Sequence, residues 1–289
     1  MKFTVLLIGL ATSFYSRPQS IYGSISSTYT FIPQTNHEPA SFIVNTHNNI
    51  LFPWFWREEN HQFKQAFSTE ISFGQLLNSH FGYEISTAYL KPISLNENNE
   101  FFLRQFKGDF VQAFVKLLIN IPLDRIDIYS KIGLNIATGR LIYNQTTNSN
   151  TNNERTLNYK YFDNISLGFN ASVGLNYPIS KRFSIFTELK LTSQAFSPKK
   201  GEVTNCSFAG TNELNSMKDH PYWYQIDFGN ENQFQFMTMN NDEEPQKLYR
   251  RSYVLGGYGF TIGAKYTLWK KKRKLLVFEH KKRPIFIDL

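Results

Sequence analysis

The chain contains a stretch in which apolar and small polar residues alternate with a period of two. From Ile165 to Tyr177 the odd positions are apolar or aromatic, and the even positions are serine, glycine or asparagine. Successive side chains of a β-strand point to opposite faces, so this stretch predicts a strand with one apolar and one polar face. Strands of soluble proteins average about five or six residues. The longer alternation found here favours a strand that crosses a membrane.

The same alternation predicts eight strands along the chain. They span approximately residues 21–32, 63–75, 81–90, 110–121, 125–143, 161–179, 183–196 and 249–269. The connections after the second, fourth and sixth strands are short, and the others are long. Antiparallel up-and-down strands place alternate connections at opposite ends, so all the long loops are expected at one end. Because outer-membrane barrels have this asymmetry, the predicted fold is all-β, a single eight-stranded antiparallel up-and-down transmembrane β-barrel.

Charged residues occur within the predicted strands at similar heights above the short turns. They are Glu70, Glu84, Lys116, Lys131, Glu188 and Lys190. Charges facing lipid would be costly, so we expect these six to line the lumen as a mutually paired network, next to Tyr129 and Phe186. The interior of an eight-stranded barrel is only just wide enough for side chains. The sequence therefore predicts a plugged lumen, which would conduct only when ion pairs rearrange.

A secreted, soluble, lipocalin-like binding barrel is the alternative fold. It accounts for the alternation of apolar and polar residues, but not for the one-sided distribution of long loops or for an export signal. Apolar side chains would then fill the interior, and the charged faces would meet water. The direction of the apolar faces distinguishes the two folds.

The two ends of the chain differ in composition from the predicted barrel. Residues 1–16 resemble a secretory signal, with Lys2, an apolar run and then small residues; a first buried strand is the alternative. We expect a signal peptide at 1–16, an outer-membrane β-barrel at 17–269 and a basic C-terminal tail at 270–289. Cys206 is the single cysteine, which excludes an intramolecular disulfide, and export without disulfides suits a bacterial envelope protein.

The formal net charge of +8 is concentrated towards the end of the chain. Basic runs can indicate a nucleic-acid partner. An exported chain rarely meets nucleic acid, so we expect no nucleic-acid partner and a tail that is solvated or faces phospholipid.

The longest predicted loop, residues 197–248, is rich in aromatic residues. Loops on a rigid scaffold carry specific contacts, and aromatic side chains are favoured anchors. An extracellular ligand or host surface would bind there; alternatively, these rings pack the loop against the barrel rim. The candidate binding residues are His220, Tyr222, Trp223, Tyr224 and Phe228.

The motifs of an enzyme are weak in this sequence. None of the six histidines has metal-ligand spacing, and an adjacent acid and histidine such as Asp219 and His220, in the longest loop, is common by chance. No G-x-S-x-G nucleophile motif occurs. We expect no enzyme activity, cofactor or metal; an outer-membrane barrel enzyme acting on lipid A or peptides is the alternative.

Two segments carry a family resemblance. Val173–Glu202, a strand, a tight turn and a second strand with a central glutamate, resembles the small outer-membrane barrels of the porin-like superfamily, especially those of Bacteroidota. Gly263–Leu268 resembles the final-strand signal read by the barrel-assembly machinery. The resemblance implies an outer-membrane location, with outer-membrane lipids and that machinery as partners. We expect a monomer with both chain ends in the periplasm.

Overall fold

The computed structural model describes residues 20–33, 63–98, 102–147, 154–219, 221–229, 245–249 and 252–270. The predicted signal peptide and, apart from Lys270, the predicted basic tail lie outside the described residues.

The described part of the chain contains fifteen strands and two short helices. The helices are α1 (Leu214–Lys218) and α2 (Pro221–Tyr224), and both lie before the twelfth strand. The strands are β1 (Ser20–Phe31), β2 (Gln65–Leu76), β3 (Phe81–Pro92), β4 (Leu95–Asn98), β5 (Phe102–Pro122), β6 (Asp127–Thr147), β7 (Arg155–Phe162), β8 (Ile165–Pro178), β9 (Phe183–Phe196), β10 (Lys200–Phe208), β11 (Thr211–Asn212), β12 (Gln225–Gly229), β13 (Gln246–Tyr249), β14 (Tyr253–Val254) and β15 (Tyr258–Lys270).

Eight of these strands close into a barrel. The order is β1, β2, β3, β5, β6, β8, β9 and β15, and every neighbouring pair is antiparallel. The last strand returns to the first, with pairs running from Ser20 and Lys270 to Phe31 and Tyr258. The predicted eight-stranded up-and-down barrel is therefore confirmed.

The three short turns share one end of the barrel, which we call the lower end. Asparagine and serine fix two of them, as is common for turns. The Asn78 side-chain oxygen accepts hydrogen bonds from the backbone N–H groups of His80 and Phe81, at 2.8 and 2.7 Å. The Ser180 hydroxyl accepts from the N–H of Phe183 at 3.1 Å. These local bonds reverse the chain and hold the register of the strands above.

Two predicted strands differ from the observed ones. The predicted strand 161–179 divides into β7 and β8 at Asp163, whose φ of 65° lies in the left-handed region that interrupts a strand. The predicted strand 249–269 also divides: residues 253–254 form β14 against the outer end of β9, and β15, which pairs with both β9 and β1, begins at Tyr258. The alternation lapses at both interruptions, where apolar residues stand side by side, so both predicted strands are too long.

The long-loop end carries an outer sheet. Here β5 and β6 continue past the barrel rim, β4 pairs with β5, and β7, β10, β12 and β13 follow β6 in that order. The long connection predicted at residues 144–160 is thus strand at both ends. The end of β6 and the start of β7 pair with each other there. Five rings form a ladder across this sheet, at centroid separations of 4.5 to 6.1 Å: Phe106, Tyr143, Tyr159, Tyr161 and Phe228.

The outer surface of the barrel is apolar along its middle. Exposed aliphatic residues form this belt, among them Ile25, Ile71, Ile85, Val115, Leu134, Val173, Leu189 and Ile262. Exposed aromatic residues flank it, with Phe31, Phe67, Tyr89 and Tyr258 towards the outer end and Phe81, Tyr177, Phe183, Tyr266 and Trp269 towards the lower end. An apolar band between two aromatic girdles is the surface of a transmembrane barrel.

Strand length agrees with this surface. A twelve-residue strand such as β1, β2 or β3 spans about 40 Å, which a tilt of about 40° reduces to the ~30 Å of a bilayer core. The lipocalin-like alternative does not fit, since it requires the apolar residues inside. Apolar residues outside and polar residues inside make this a transmembrane barrel.

In the described part of the chain, no helix combines the length and the apolar character needed to span a bilayer.

Candidate functional site

The six charged residues of the lumen form one continuous chain of ion pairs. Their order is Lys190, Glu70, Lys116, Glu84, Lys131 and Glu188, which we call the ion-pair chain. Lys190 and Glu70 are 2.7 Å apart, and Lys116 lies against the second oxygen of Glu70. Lys116 and Glu84 are 3.2 Å apart, Lys131 and Glu84 3.0 Å, and Lys131 and Glu188 2.7 Å.

Strand register explains why these side chains meet. Glu84 on β3 and Lys116 on β5 are direct cross-strand partners. Period-two alternation aims each of the six into the lumen, and each lies three to seven residues from the lower end of its strand. Lys190 on β9 then reaches Glu70 on β2 across the interior, and Lys131 on β6 reaches Glu84. Charges alternate along the chain, so each interior member contacts two opposite charges.

Hydroxyl groups complete the hydrogen bonding of the carboxylates. The Tyr22 hydroxyl donates to Glu84 at 3.0 Å, and the Tyr129 hydroxyl donates to Glu188 at 2.9 Å. The Ser72 hydroxyl donates to Glu70 at 3.4 Å. All six charged residues are buried. Buried charges are tolerated when they are paired and hydrogen-bonded, and this network meets both conditions.

Below the ion-pair chain, aromatic rings fill the lumen. Tyr22, Leu118, Tyr129 and Phe186 form a buried group that we call the lower cluster. Glycines on the neighbouring strands make room for two of these rings. A Cβ atom at Gly74 would lie 2.2 Å from the Tyr22 ring, and one at Gly263 would lie 2.3 Å from the Phe186 ring. Alanine in either place would force the ring beside it to move.

A small cavity of about 30 Å³ remains beside the lower cluster, enough space for one or two waters. Its lining includes Asp127 and a further lysine, Lys265. The Lys265 ammonium lies 4.9 Å from the centre of the Tyr22 ring and 5.9 Å from that of Tyr129. Lys265 lies in the lumen beside these two rings. It forms no ion pair with the carboxylates of the ion-pair chain.

Above the ion-pair chain lies a layer of amides and hydroxyls. The Gln194 side-chain oxygen accepts hydrogen bonds from Gln112 at 2.6 Å and Asn135 at 2.8 Å. The hydroxyls of Thr28 and Thr261 are 2.8 Å apart. These bonds run between different strands and tie the walls together. The layer is neutral, so it separates the ion-pair chain from the outer end.

An apolar group lies at the outer end of the barrel, and we call it the upper cluster. Its buried members are Ile32, Phe63, Ala66, Leu90, Phe106, Phe110, Leu141, Tyr161, Phe196, Ile226, Phe228, Tyr253 and Leu255. Some come from barrel strands and others from β12, β14 and the segment after β14. The outer sheet is therefore packed against the barrel mouth.

The predicted loop-binding residues fall in different places. His220 lies outside the described residues, and Tyr222, Trp223 and Tyr224 belong to α2. Phe228 lies on β12, is only 8% exposed and packs against the Tyr161 ring at 5.2 Å. For Phe228 the structure thus supports the packing interpretation and not an exposed anchor, because pairing of β12 with β10 turns its ring inward.

Two ionisable groups of the outer sheet are shielded from water. Burial raises the pKa of the Cys206 thiol and the pKa of the Tyr159 hydroxyl. Both groups are neutral at physiological pH, so neither adds charge to the outer sheet. Within the described residues, no group of three or more histidine, cysteine, aspartate or glutamate side chains could hold a metal ion.

Sequence reasoning did not find Tyr22, Gln112, Asn135, Gln194 or Lys265. Alternation placed each of them on an inward face, but the four neutral side chains give no local sign that they belong to a network. Lys265 is charged, but it forms no ion pair with the six predicted residues. The sequence did not predict the upper cluster either, because its members come from segments far apart in the chain.

Comparison with known proteins gives structural likenesses at low sequence identity. No family model matches the chain, and no curated protein matches it. The crystal structure of Ail, the attachment invasion locus protein of Yersinia pestis, aligns with 86% of this chain and 96% of its own at 9% identity and a TM-score of 0.34. That of Acinetobacter baumannii CarO aligns with 87% of this chain and 98% of its own at 10% identity and a TM-score of 0.33. The barrel assignment rests on the strand pairing and surface of this chain.

Proposed function

We propose that the protein is a monomeric, non-catalytic barrel of a bacterial outer membrane, of the Bacteroidota type, with a plugged lumen. Its long loops and outer sheet face the outside, and its short turns face the periplasm. It serves as a rigid scaffold that presents the outer sheet at the cell surface, where an extracellular ligand or host surface binds. Outer-membrane lipids surround it, and the barrel-assembly machinery inserts it.

The observation that carries this proposal is the composition of the lumen. Four layers of side chains follow one another from the lower to the outer end. They are the lower cluster, the ion-pair chain, the amide layer and the upper cluster. An eight-stranded barrel has no spare width, so paired charges that reach from wall to wall leave no continuous water path. A barrel of this kind acts through its surface and not through transport.

Membrane fractionation tests the location. We expect the full-length protein, expressed in a bacterium with two membranes, to be recovered in the outer-membrane fraction. It should migrate faster in gel electrophoresis when unheated than when boiled, because a closed barrel resists unfolding by detergent. Recovery as a soluble periplasmic or secreted monomer would contradict the proposal.

Deletion of residues 212–241 tests surface binding. Cells that carry the deletion should lose at least about tenfold of their binding to a panel of immobilised glycans and matrix proteins, since aromatic anchors often carry most of the binding energy. Heat-modifiable migration must be retained, which shows that the barrel still folds. Deletion of residues 148–153, in another long connection of the same end, is the matched control. Equal binding by all three proteins would remove the binding role.

A further inference from the structure

Three basic residues of the outer rim lie on neighbouring strands of the barrel. Lys91 on β3, Lys107 on β5 and Arg140 on β6 point away from the lumen, and all three are exposed. The corresponding outward residues on the opposite side are uncharged, for example Phe31 on β1 and Tyr258 on β15. We call Lys91, Lys107 and Arg140 the basic rim.

Strand pairing brings the members of the basic rim together. Asp109 and Arg140 are direct partners of β5 and β6, and Lys107 lies two residues further out on the same face as Asp109. Leu90 pairs with Phe110, which places the next residue of β3, Lys91, beside Asp109. The three basic side chains therefore surround one carboxylate, across three neighbouring strands.

That carboxylate does not neutralise the patch. Asp109 accepts a hydrogen bond from the Tyr89 hydroxyl at 2.5 Å and lies 3.6 Å from the Arg140 guanidinium. Within the described residues, neither Lys91 nor Lys107 has a carboxylate within 4.0 Å. One negative charge against three positive charges leaves a positive sector on the rim.

The apolar belt begins directly below this sector. Tyr89 is exposed on the belt side of Asp109, and Phe67, the β2 partner of Lys91, is exposed beside it. Tyrosine with its ring in lipid and its hydroxyl at the surface marks the level of the headgroups. The basic rim thus stands at headgroup height, where its positive charge attracts anionic groups.

We propose that the basic rim binds the phosphate groups of a phosphorylated lipid in the outer leaflet. Arginine and lysine bind phosphate through charge-assisted hydrogen bonds, and lipid chains would lie along the belt beneath Phe67 and Tyr89. The continuity of the rim with the lipid-facing belt favours a lipid headgroup over free phosphate. This inference rests on the proposed function, in that the long-loop end must face the outer leaflet.

Lipid retention tests the inference. The refolded barrel is incorporated into phosphatidylcholine vesicles that contain either phosphorylated lipid A or the same lipid A after phosphatase treatment, and bound lipid A is measured by native mass spectrometry. We expect the wild type to retain the phosphorylated form at least about fivefold better, the effect of roughly one basic contact. Higher salt should reduce this preference, because salt screens exposed charges.

The variant K91Q/K107Q/R140Q should lose the preference. The control R125Q/K181Q/R182Q removes the same charge from the short turns at the lower end and should keep it. Equal retention of both lipids by the wild type, or equal losses in both triple variants, would overturn the inference. Heat-modifiable migration is recorded in the same samples: a barrel that inserts without phosphate preference overturns only this inference, whereas a chain that fails to insert also overturns the proposed function.

Discussion

The Glu84→Ala variant is expected to lose about 3–5 kcal/mol of unfolding free energy, the usual cost of removing one partner from a buried ion pair. Glu84 contacts both Lys116 and Lys131 and accepts a hydrogen bond from Tyr22. Its side chain is 1% exposed, so bulk water does not solvate the two lysines in place of the lost carboxylate. Unfolding by urea in phospholipid vesicles, followed by tryptophan fluorescence and by heat-modifiable migration, measures the change.

The exposed pair of Lys160 and Glu202 provides the matched control. These side chains are 2.9 Å apart on the outer sheet and are 34% and 28% exposed. Surface pairs of this kind contribute about 0.2–1 kcal/mol, so Glu202→Ala should change stability only slightly. Similar losses in the two variants would show that the ion-pair chain does not hold the barrel together.

Glu84→Gln separates charge from shape. The amide keeps the size of the side chain and can still accept the Tyr22 hydrogen bond, but it leaves the two lysines with one carboxylate fewer. We expect a loss close to that of Glu84→Ala, because the unfavourable species is the uncompensated buried lysine. Wild-type stability in Glu84→Gln would assign the effect of alanine to lost packing.

The sequence contained enough information for the barrel and for the six charges. Period-two alternation fixes the face on which Glu70 or Lys131 lies, and its distance from a short turn fixes the height. Both quantities can be counted along the chain. Alternation and turn position are local properties, so they can be read from a single sequence.

The remaining features depend on contacts between distant segments. The position of Tyr22 over Glu84 requires the space left by Gly74 on the neighbouring strand, and nothing near Tyr22 in the chain shows this. The break at Asp163 depends on a left-handed backbone conformation, which the residue type does not specify. The outer sheet forms because β7 pairs with β10, which lies some forty residues later in the chain. No local sequence pattern specifies this pairing.

The second large effect concerns ion flow through the lumen. Glu188 ends the ion-pair chain, where it holds Lys131 at 2.7 Å and the Tyr129 hydroxyl at 2.9 Å. In Glu188→Ala both groups lose this partner, and the ammonium of Lys131 gains freedom to swing towards the cavity below. We expect brief open events in this variant, at a frequency well above that of the wild type. A variant as silent as the wild type would show that the ion-pair chain is not the barrier to ions.

Recording from planar bilayers tests the plugged lumen most directly. The purified full-length barrel is inserted into a bilayer, and insertion is verified by heat-modifiable migration of the same preparation. The ion-pair chain between the lower and upper clusters predicts a silent wild-type barrel with at most rare, short openings. A steady conductance of nanosiemens in the wild type would contradict it, because such a current requires an open water path where the structure places paired charges.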